Sequence, residues 1–142
     1  MKPIALLILL LGLTIQSIPL QAAEPDPFHG RLLPLELVME FRRDIEMSRS
    51  QSDAVGELVV ELQKSVAEKQ WVMQSAYFDL IEELDEETVA EARAIELLDT
   101  ALVTENQIKL EQIRFLIRLR NLLQPEQIRY LRERIDAGWT EE

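Results

Sequence analysis

Metal-binding chemistry has few candidates in this chain. Its 142 residues include one histidine, His29, and no cysteine, whereas a zinc site normally takes three or four nitrogen, sulfur or oxygen ligands at short spacing. His29 lies in a proline-rich stretch, where an exposed residue is the simpler interpretation. Met39 and Met47 are eight residues apart and fit a helix core better than a soft-metal site. The sequence predicts no metal site and no cofactor; only carboxylates shared between two subunits could form one.

Acid–base and nucleophilic chemistry have little more support. Residues 82–87 hold five carboxylates in six positions, which could bind a divalent cation loosely or form a solvated turn between helices. The turn is favoured, because the segment lacks the glycine-containing loop of an EF-hand. The serines have no histidine partner on their own helices, and an active site also needs a pocket. We therefore predict that the protein is not an enzyme.

The N-terminal residues have the pattern of an export signal. Lys2 precedes an apolar run over residues 4–15, and small residues follow that run. The run is about a dozen residues long, short of the roughly 20 that span a bilayer. A cleaved signal peptide over residues 1–23 is therefore favoured over an uncleaved membrane anchor, with cleavage expected after Ala22 or Ala23.

The charge of the remaining chain is acidic and uneven. Without Lys2 it has 14 basic and 26 acidic residues, a net charge of −12, which argues against nucleic acid as a partner. Residues 24–105 carry 20 acids and 7 bases, whereas residues 106–140 carry 4 acids and 7 bases. Because there is no disulfide, stability has to come from helix packing or from a partner subunit.

The spacing of apolar residues predicts an all-α protein with four helices. Residues 24–34 contain three prolines and one glycine and are expected to form an extended arm. Residues 35–138 form a single helical domain, and residues 139–142 a C-terminal tail. The first helix is predicted to begin after Pro34 and to run to about Glu46.

The second and third helices are predicted to be long and of similar length. They run from Arg49 to about Leu84 and from about Glu87 to Leu123, with Asp85 as the cap between them. The apolar steps of three and four residues in both helices are typical of a coiled coil, so a long antiparallel hairpin is expected. In the third helix the predicted core-facing line comprises Val89, Ala92, Ile95, Leu98, Leu102, Ile108, Gln112, Phe115, Leu119 and Leu122.

Two similar short segments mark the ends of this hairpin. Residues 47–51 (Met-Ser-Arg-Ser-Gln) and 123–127 (Leu-Gln-Pro-Glu-Gln) each follow one helix and open another. The serine and glutamine of the first segment form a capping box; in the second, Gln124 is a weaker cap and the proline starts a fourth helix that ends near Gly138. The motif residues are Met47, Ser48, Gln51, Leu123, Pro125 and Gln127.

These two segments and the hairpin between them resemble the Spy/CpxP family of periplasmic stress proteins, also called LTxxQ-motif proteins. The first segment has Met and Ser in place of Leu and Thr, and the second has Gln in place of Thr. The resemblance covers the whole chain after the signal peptide. It implies a hooked, four-helix hairpin that forms a cradle-like homodimer in the periplasm.

The resemblance leaves the function open between two readings. Some members are ATP-independent chaperones for unfolded or misfolded envelope proteins, and this is the function we expect. Other members regulate an envelope-stress or metal-responsive signalling system, through a sensor kinase or an anti-sigma factor. The chain also resembles heavy-metal-resistance proteins, but metal-sensing relatives use several histidines and this chain has one.

Apolar and basic residues off the main stripes are the candidate contact surface. They could form the dimer interface or bind client proteins; binding of the basic helix to anionic lipid is a third possibility. Basic groups would attract acidic unfolded segments, and exposed apolar groups would hold them weakly. The candidates are Trp71, Val72, Phe78, Arg114, Phe115, Ile117, Arg118 and Arg120.

Overall fold

The computed structural model describes residues 26–140, and these residues form four helices with no strand among them. The all-α prediction and the number of helices are thereby confirmed. The predicted signal peptide, residues 1–23, lies outside the described residues. Among residues 26–140, no helix combines the length and apolarity needed to cross a bilayer. The helices are α1 (Leu35–Glu40), α2 (Arg49–Leu84), α3 (Glu91–Asn121) and α4 (Pro125–Asp136).

Helix α1 is shorter than the sequence predicts. It ends at Glu40, and residues 41–46 form turns instead of continuing to Glu46. Glu46 has a φ of 49°, a left-handed conformation that stops a helix. The turns still direct Phe41 and Ile45 toward the core. The apolar spacing therefore looked helical although the backbone had already changed direction.

Helices α2 and α3 pack against each other in opposite chain order. Near the start of α2, Glu61 accepts a hydrogen bond from Arg118 at 2.8 Å, and further along Lys69 lies 3.8 Å from Glu111. This order is that of two antiparallel helices. With 36 residues, α2 is roughly 54 Å long at 1.5 Å per residue.

The connection between α2 and α3 is longer than predicted, because α3 begins at Glu91 rather than at Glu87. Asp85 does not cap α3; it ends α2, and its amide donates to carbonyls of the last turn of that helix. The N-cap of α3 is Ala90, whose own amide donates to the Glu83 carboxylate at 2.8 Å.

The predicted core-facing line is wrong in the first half of α3. Ile95 and Leu102 are exposed there, and small residues lie buried in their place. Alanine and threonine let the two helix backbones approach closely, whereas a hydrophobicity pattern weights the larger side chains. In the second half the prediction is correct for Ile108, Phe115 and Leu119, whereas Gln112 is exposed. The buried line of α3 comprises Ala94, Leu97, Ala101, Thr104, Ile108, Phe115 and Leu119.

The main hydrophobic core lies where all four helices meet. It takes residues from one end of the α2–α3 pair, where α2 begins and α3 ends, and none from residues 63–114. Among the described helices, α2 and α3 pack mainly against each other over that middle stretch. The largest fully buried side chains of the core are Leu33, Leu37, Val38, Leu119 and Leu131.

The segments flanking the helices also pack onto this core. The predicted extended arm contains a turn in its described part, since the Arg31 amide donates to Phe28 O at 2.8 Å. Arg132 Nε donates to Gly30 O at 2.8 Å and ties this turn to α4. In the tail, Trp139 Nε1 donates to Glu40 Oε2 at 2.7 Å. The arm and the C-terminal tail are thus held against the end of the molecule where the four helices meet.

Gly138 and Gly56 are expected to respond oppositely to alanine. Gly138 has a φ of +96°, so Gly138→Ala forces a strained backbone and should lower the free energy of unfolding by about 1 kcal/mol. Gly56 lies within α2, and a Cβ there meets no atom within 4 Å. Gly56→Ala should raise the free energy of unfolding by about 0.5–1 kcal/mol. Urea unfolding followed by circular dichroism measures both changes in the free energy of unfolding. Changes of the same sign would contradict the backbone conformations described for the two glycines.

Candidate functional site

The two motif segments meet in space through their glutamines. Gln51 Nε2 donates to Gln127 Oε1 at 2.8 Å, and Gln127 Nε2 donates to Gln51 Oε1 at 3.2 Å. These residues are 76 positions apart in the chain. The amide pair therefore joins the start of α2 directly to the start of α4.

Each glutamine also completes its own helix cap and donates to the backbone just before the other segment. Gln51 Oε1 accepts the Ser48 amide at 3.0 Å, and Gln51 Nε2 donates to Leu122 O at 2.7 Å. Gln127 Oε1 accepts the Gln124 amide at 2.8 Å, and Gln127 Nε2 donates to Ile45 O at 2.9 Å. Both amide groups thus use both N–H bonds and both acceptor positions.

The other motif residues have the roles expected of helix boundaries. Ser48 Oγ accepts the Gln51 amide at 3.1 Å, which completes the predicted capping box. Pro125 is the first residue of α4. Leu123 is buried in the core and Met47 packs against it. The motif therefore has a structural role, and its two copies contact each other and act as one unit. The capping pattern of each segment alone does not predict this contact.

The structure separates the candidate surface residues into two groups. Trp71, Val72, Phe78 and Ile117 are exposed as predicted. Phe115 is not a surface residue: it is 7% exposed and belongs to the core. Its place on α3 lies in line with Leu119 one turn later, so it faces α2.

The candidate arginines differ in what they contact. Arg114 pairs with Glu111 on its own helix at 2.9 Å. Arg118 spans to α2, where it pairs with Glu61 at 2.8 Å. Arg120 is half-buried and lines a cavity beside Ile117 and Asn121.

An exposed apolar line runs along α2 on the side away from α3. Val60, Trp71 and Phe78 lie within about 20° of one another around the helix axis at 3.6 residues per turn, and roughly opposite Leu62 of the core. Trp71 is 76% exposed and Phe78 is 67% exposed. Large aromatic side chains at such exposure and aligned on one helix face are candidates for a contact surface. We call Val60, Trp71 and Phe78 the α2 outer line.

A second exposed apolar line runs along α3. The sequence pattern did not reveal most of it, because two of its residues, Ile95 and Leu102, were predicted to face the core. Its residues continue at helical spacing over most of α3, and Leu110 is 63% exposed. The signal that could have revealed part of it is the pair Ala94 and Ala101, seven residues apart, each one position before a large residue. We call Ile95, Leu102, Val103, Leu110 and Ile117 the α3 outer stripe.

The charges along α3 reverse sign near its middle. Residues 91–105 contain four acids and one base, whereas residues 106–121 contain one acid and four bases. Asn106 lies at the boundary. The outer stripe is arranged about the same point, since Ile95 and Ile117 lie eleven residues to either side of Asn106, and Leu102 and Leu110 lie four residues to either side.

Groups for catalysis or metal binding are sparse in the described structure. No group of three or more His, Cys, Asp or Glu side chains within residues 26–140 is placed to hold a metal ion. A cavity of about 710 Å³ lies between the arm, α1, α2 and α3. Its lining is mostly apolar, with Asp26, Glu36, Gln63 and Gln112 as the polar groups.

Comparison with known proteins finds no relative of this chain. No family model matches the chain, and no curated protein and no solved structure matches it either.

Proposed function

We propose that this protein is a periplasmic, ATP-independent chaperone-like protein that binds unfolded or misfolded envelope proteins, as its resemblance to the Spy/CpxP family implies. The observation that carries the proposal is the α2 outer line. Trp71 and Phe78 project from a helix face that no other element covers in the described residues. An exposed aromatic pair of this kind is available for contact with a partner, and an unfolded chain offers apolar segments without a fixed shape.

The α2 outer line suits weak and unspecific binding. Its apolar groups are separated along the helix and do not form a deep groove, so a bound segment keeps much of its freedom. The helix around them is charged, with Glu68 and Lys64 nearby in sequence. Such a surface delays aggregation of a client without locking it in one conformation, which requires no nucleotide.

The α3 outer stripe has a different role in this proposal, as the contact between two copies of the chain. Two α3 helices packed antiparallel about Asn106 would place Ile95 opposite Ile117 and Leu102 opposite Leu110. The same register sets the acidic half of one helix against the basic half of the other, which favours association. The resulting dimer leaves the two α2 outer lines free and corresponds to the hooked, cradle-like hairpin dimer of the resemblance.

The test is light scattering of an unfolding client with the purified mature protein. We expect the unmodified protein to suppress scattering at several-fold excess, and Trp71→Ser/Phe78→Ser to lose most of that suppression while its circular dichroism is unchanged. Phe28→Ser is the matched control, since Phe28 is an exposed aromatic residue of the arm. It should suppress scattering as the unmodified protein does.

The outcome that removes the chaperone proposal is equal scattering with and without the unmodified protein. In that case a pull-down from envelope extract separates the alternatives. Recovery of a single membrane protein would favour the regulator of an envelope-stress system.

A further inference from the structure

Three arginines from three different parts of the chain line one cavity at the end of the molecule where the four helices meet. It has a volume of about 410 Å³ and lies between the arm, the end of α3 and α4. Arg31 comes from the arm, Arg120 from α3 and Arg132 from α4. The remaining lining residues are Leu32, Ile117 and Asn121.

The positive charge of this cavity is not balanced locally. None of the six ion pairs among residues 26–140 involves Arg31, Arg120 or Arg132, and the lining contains no carboxylate. This is unusual in a chain with 26 acidic residues. Three like charges around one cavity repel one another unless an anion lies between them.

Two of the three arginines are positioned by the backbone rather than by acids. Arg31 Nη1 donates to Pro27 O at 3.1 Å, and Arg132 Nε donates to Gly30 O at 2.8 Å. These bonds orient the guanidinium groups and leave other N–H donors of both side chains free for a ligand. The Nε of Arg120 is buried without a hydrogen-bond partner in the described part of the chain.

We propose that this cavity binds a phosphate group. Three guanidinium groups exceed what one carboxylate needs, whereas a phosphate monoester carries close to two negative charges at neutral pH and several acceptor oxygens that match guanidinium donors. Asn121 adds a carboxamide donor. Leu32 and Ile117 provide apolar walls beside the charged groups, so the phosphate can be free or attached to a larger headgroup.

Calorimetric titration of the mature protein with inorganic phosphate tests the site directly. We expect saturable binding to one site per chain. Arg120→Gln and Arg31→Gln should each weaken it by about tenfold or more, because each removes a charge-assisted contact. The matched control is Arg129→Gln, since Arg129 lies on α4 outside the cavity and contacts Glu126 at 3.7 Å. It should bind phosphate as the unmodified protein does.

Vesicle flotation distinguishes the two sources of the phosphate. Vesicles containing phosphatidic acid present a phosphate monoester, and vesicles of phosphatidylcholine alone serve as the control. Flotation with the first kind only, abolished by Arg120→Gln, assigns the site to a lipid headgroup; binding of inorganic phosphate without flotation assigns it to the free ion. Absence of both kinds of binding overturns the proposal, and so does equal weakening by Arg129→Gln and Arg120→Gln. Neither result bears on light scattering by clients.

Discussion

Replacing Gln51 with alanine is expected to lower the free energy of unfolding by about 2–3 kcal/mol, and replacing Gln127 by a similar amount. Each substitution removes a cap acceptor and two side-chain donors. It also leaves a backbone carbonyl just before the other segment, Leu122 O or Ile45 O, without its donor. The polar groups left without partners in this part-buried contact are the main cause of the lower free energy of unfolding. Urea unfolding followed by circular dichroism measures the effect.

The double substitution shows whether the two motif copies act as one unit. Once Gln51 is gone, Gln127 has already lost one of its partners, so Gln51→Ala/Gln127→Ala should cost less than the sum of the single changes by about 1 kcal/mol. Gln70→Ala is the control, since Gln70 is exposed in α2. It should change the free energy of unfolding by no more than about 0.5 kcal/mol. Fully additive single effects would show that the glutamines act only as separate caps.

A third variant separates the local cap from the long-range contact. Gln51→Glu keeps an oxygen that accepts the Ser48 amide but replaces the donor to Leu122 O with a second acceptor. We expect a loss at least as large as for Gln51→Ala near neutral pH, because the carboxylate faces two oxygens. If Gln51→Glu were as stable as the unmodified protein, the contact between the segments would not contribute to stability.

Helix number and the chain breaks were predictable because their causes are local. The cap at Ser48, the start at Pro125 and the left-handed glycine at 138 each depend on a few neighbouring residues. The same local rules failed at residues 41–46. There the tertiary structure places Ile45 O against Gln127, and the turn that this requires leaves no trace in the apolar spacing.

The core of α3 was mispredicted for a physical reason. Hydrophobicity ranks Ile95 and Leu102 above Ala94 and Ala101, but a two-helix contact rewards close backbone approach as well as apolar area. Within residues 26–140, α2 and α3 are the two helices in extensive contact, and the main core takes no residue from 63–114. The described structure therefore has no further helix layer to bury the large side chains there. The alanines therefore face α2, and the large side chains remain exposed.

The glutamine pair and the arginine cavity could not be predicted, because both depend on contacts across long stretches of chain. The repeated glutamine at the same place in two segments was visible in the sequence. Its meaning, that each amide completes the cap of one segment and contacts the backbone of the other, appears only once α2 and α4 start side by side. Arg31, Arg120 and Arg132 likewise share no local pattern.

The α3 outer stripe indicates what kind of partner would cover it. An unfolded client has no fixed register, whereas the stripe repeats its apolar residues and reverses its charges about Asn106. A helix with this internal arrangement is complementary to a copy of itself running in the opposite direction. We therefore expect the mature protein to have twice the mass of one chain in solution.

Leu110→Glu is expected to convert this dimer into a monomer. The substitution places a carboxylate opposite Leu102 of the partner, twice in each dimer, and burying such charges without partners should weaken association by a factor of about 100 or more. Static light scattering coupled to gel filtration measures the mass, and circular dichroism should stay unchanged because Leu110 is exposed within one chain. Gln107→Glu adds the same charge to α3 off the stripe and should remain a dimer. A monomeric unmodified protein, or a dimeric and folded Leu110→Glu variant, would show that the outer stripe does not join two copies.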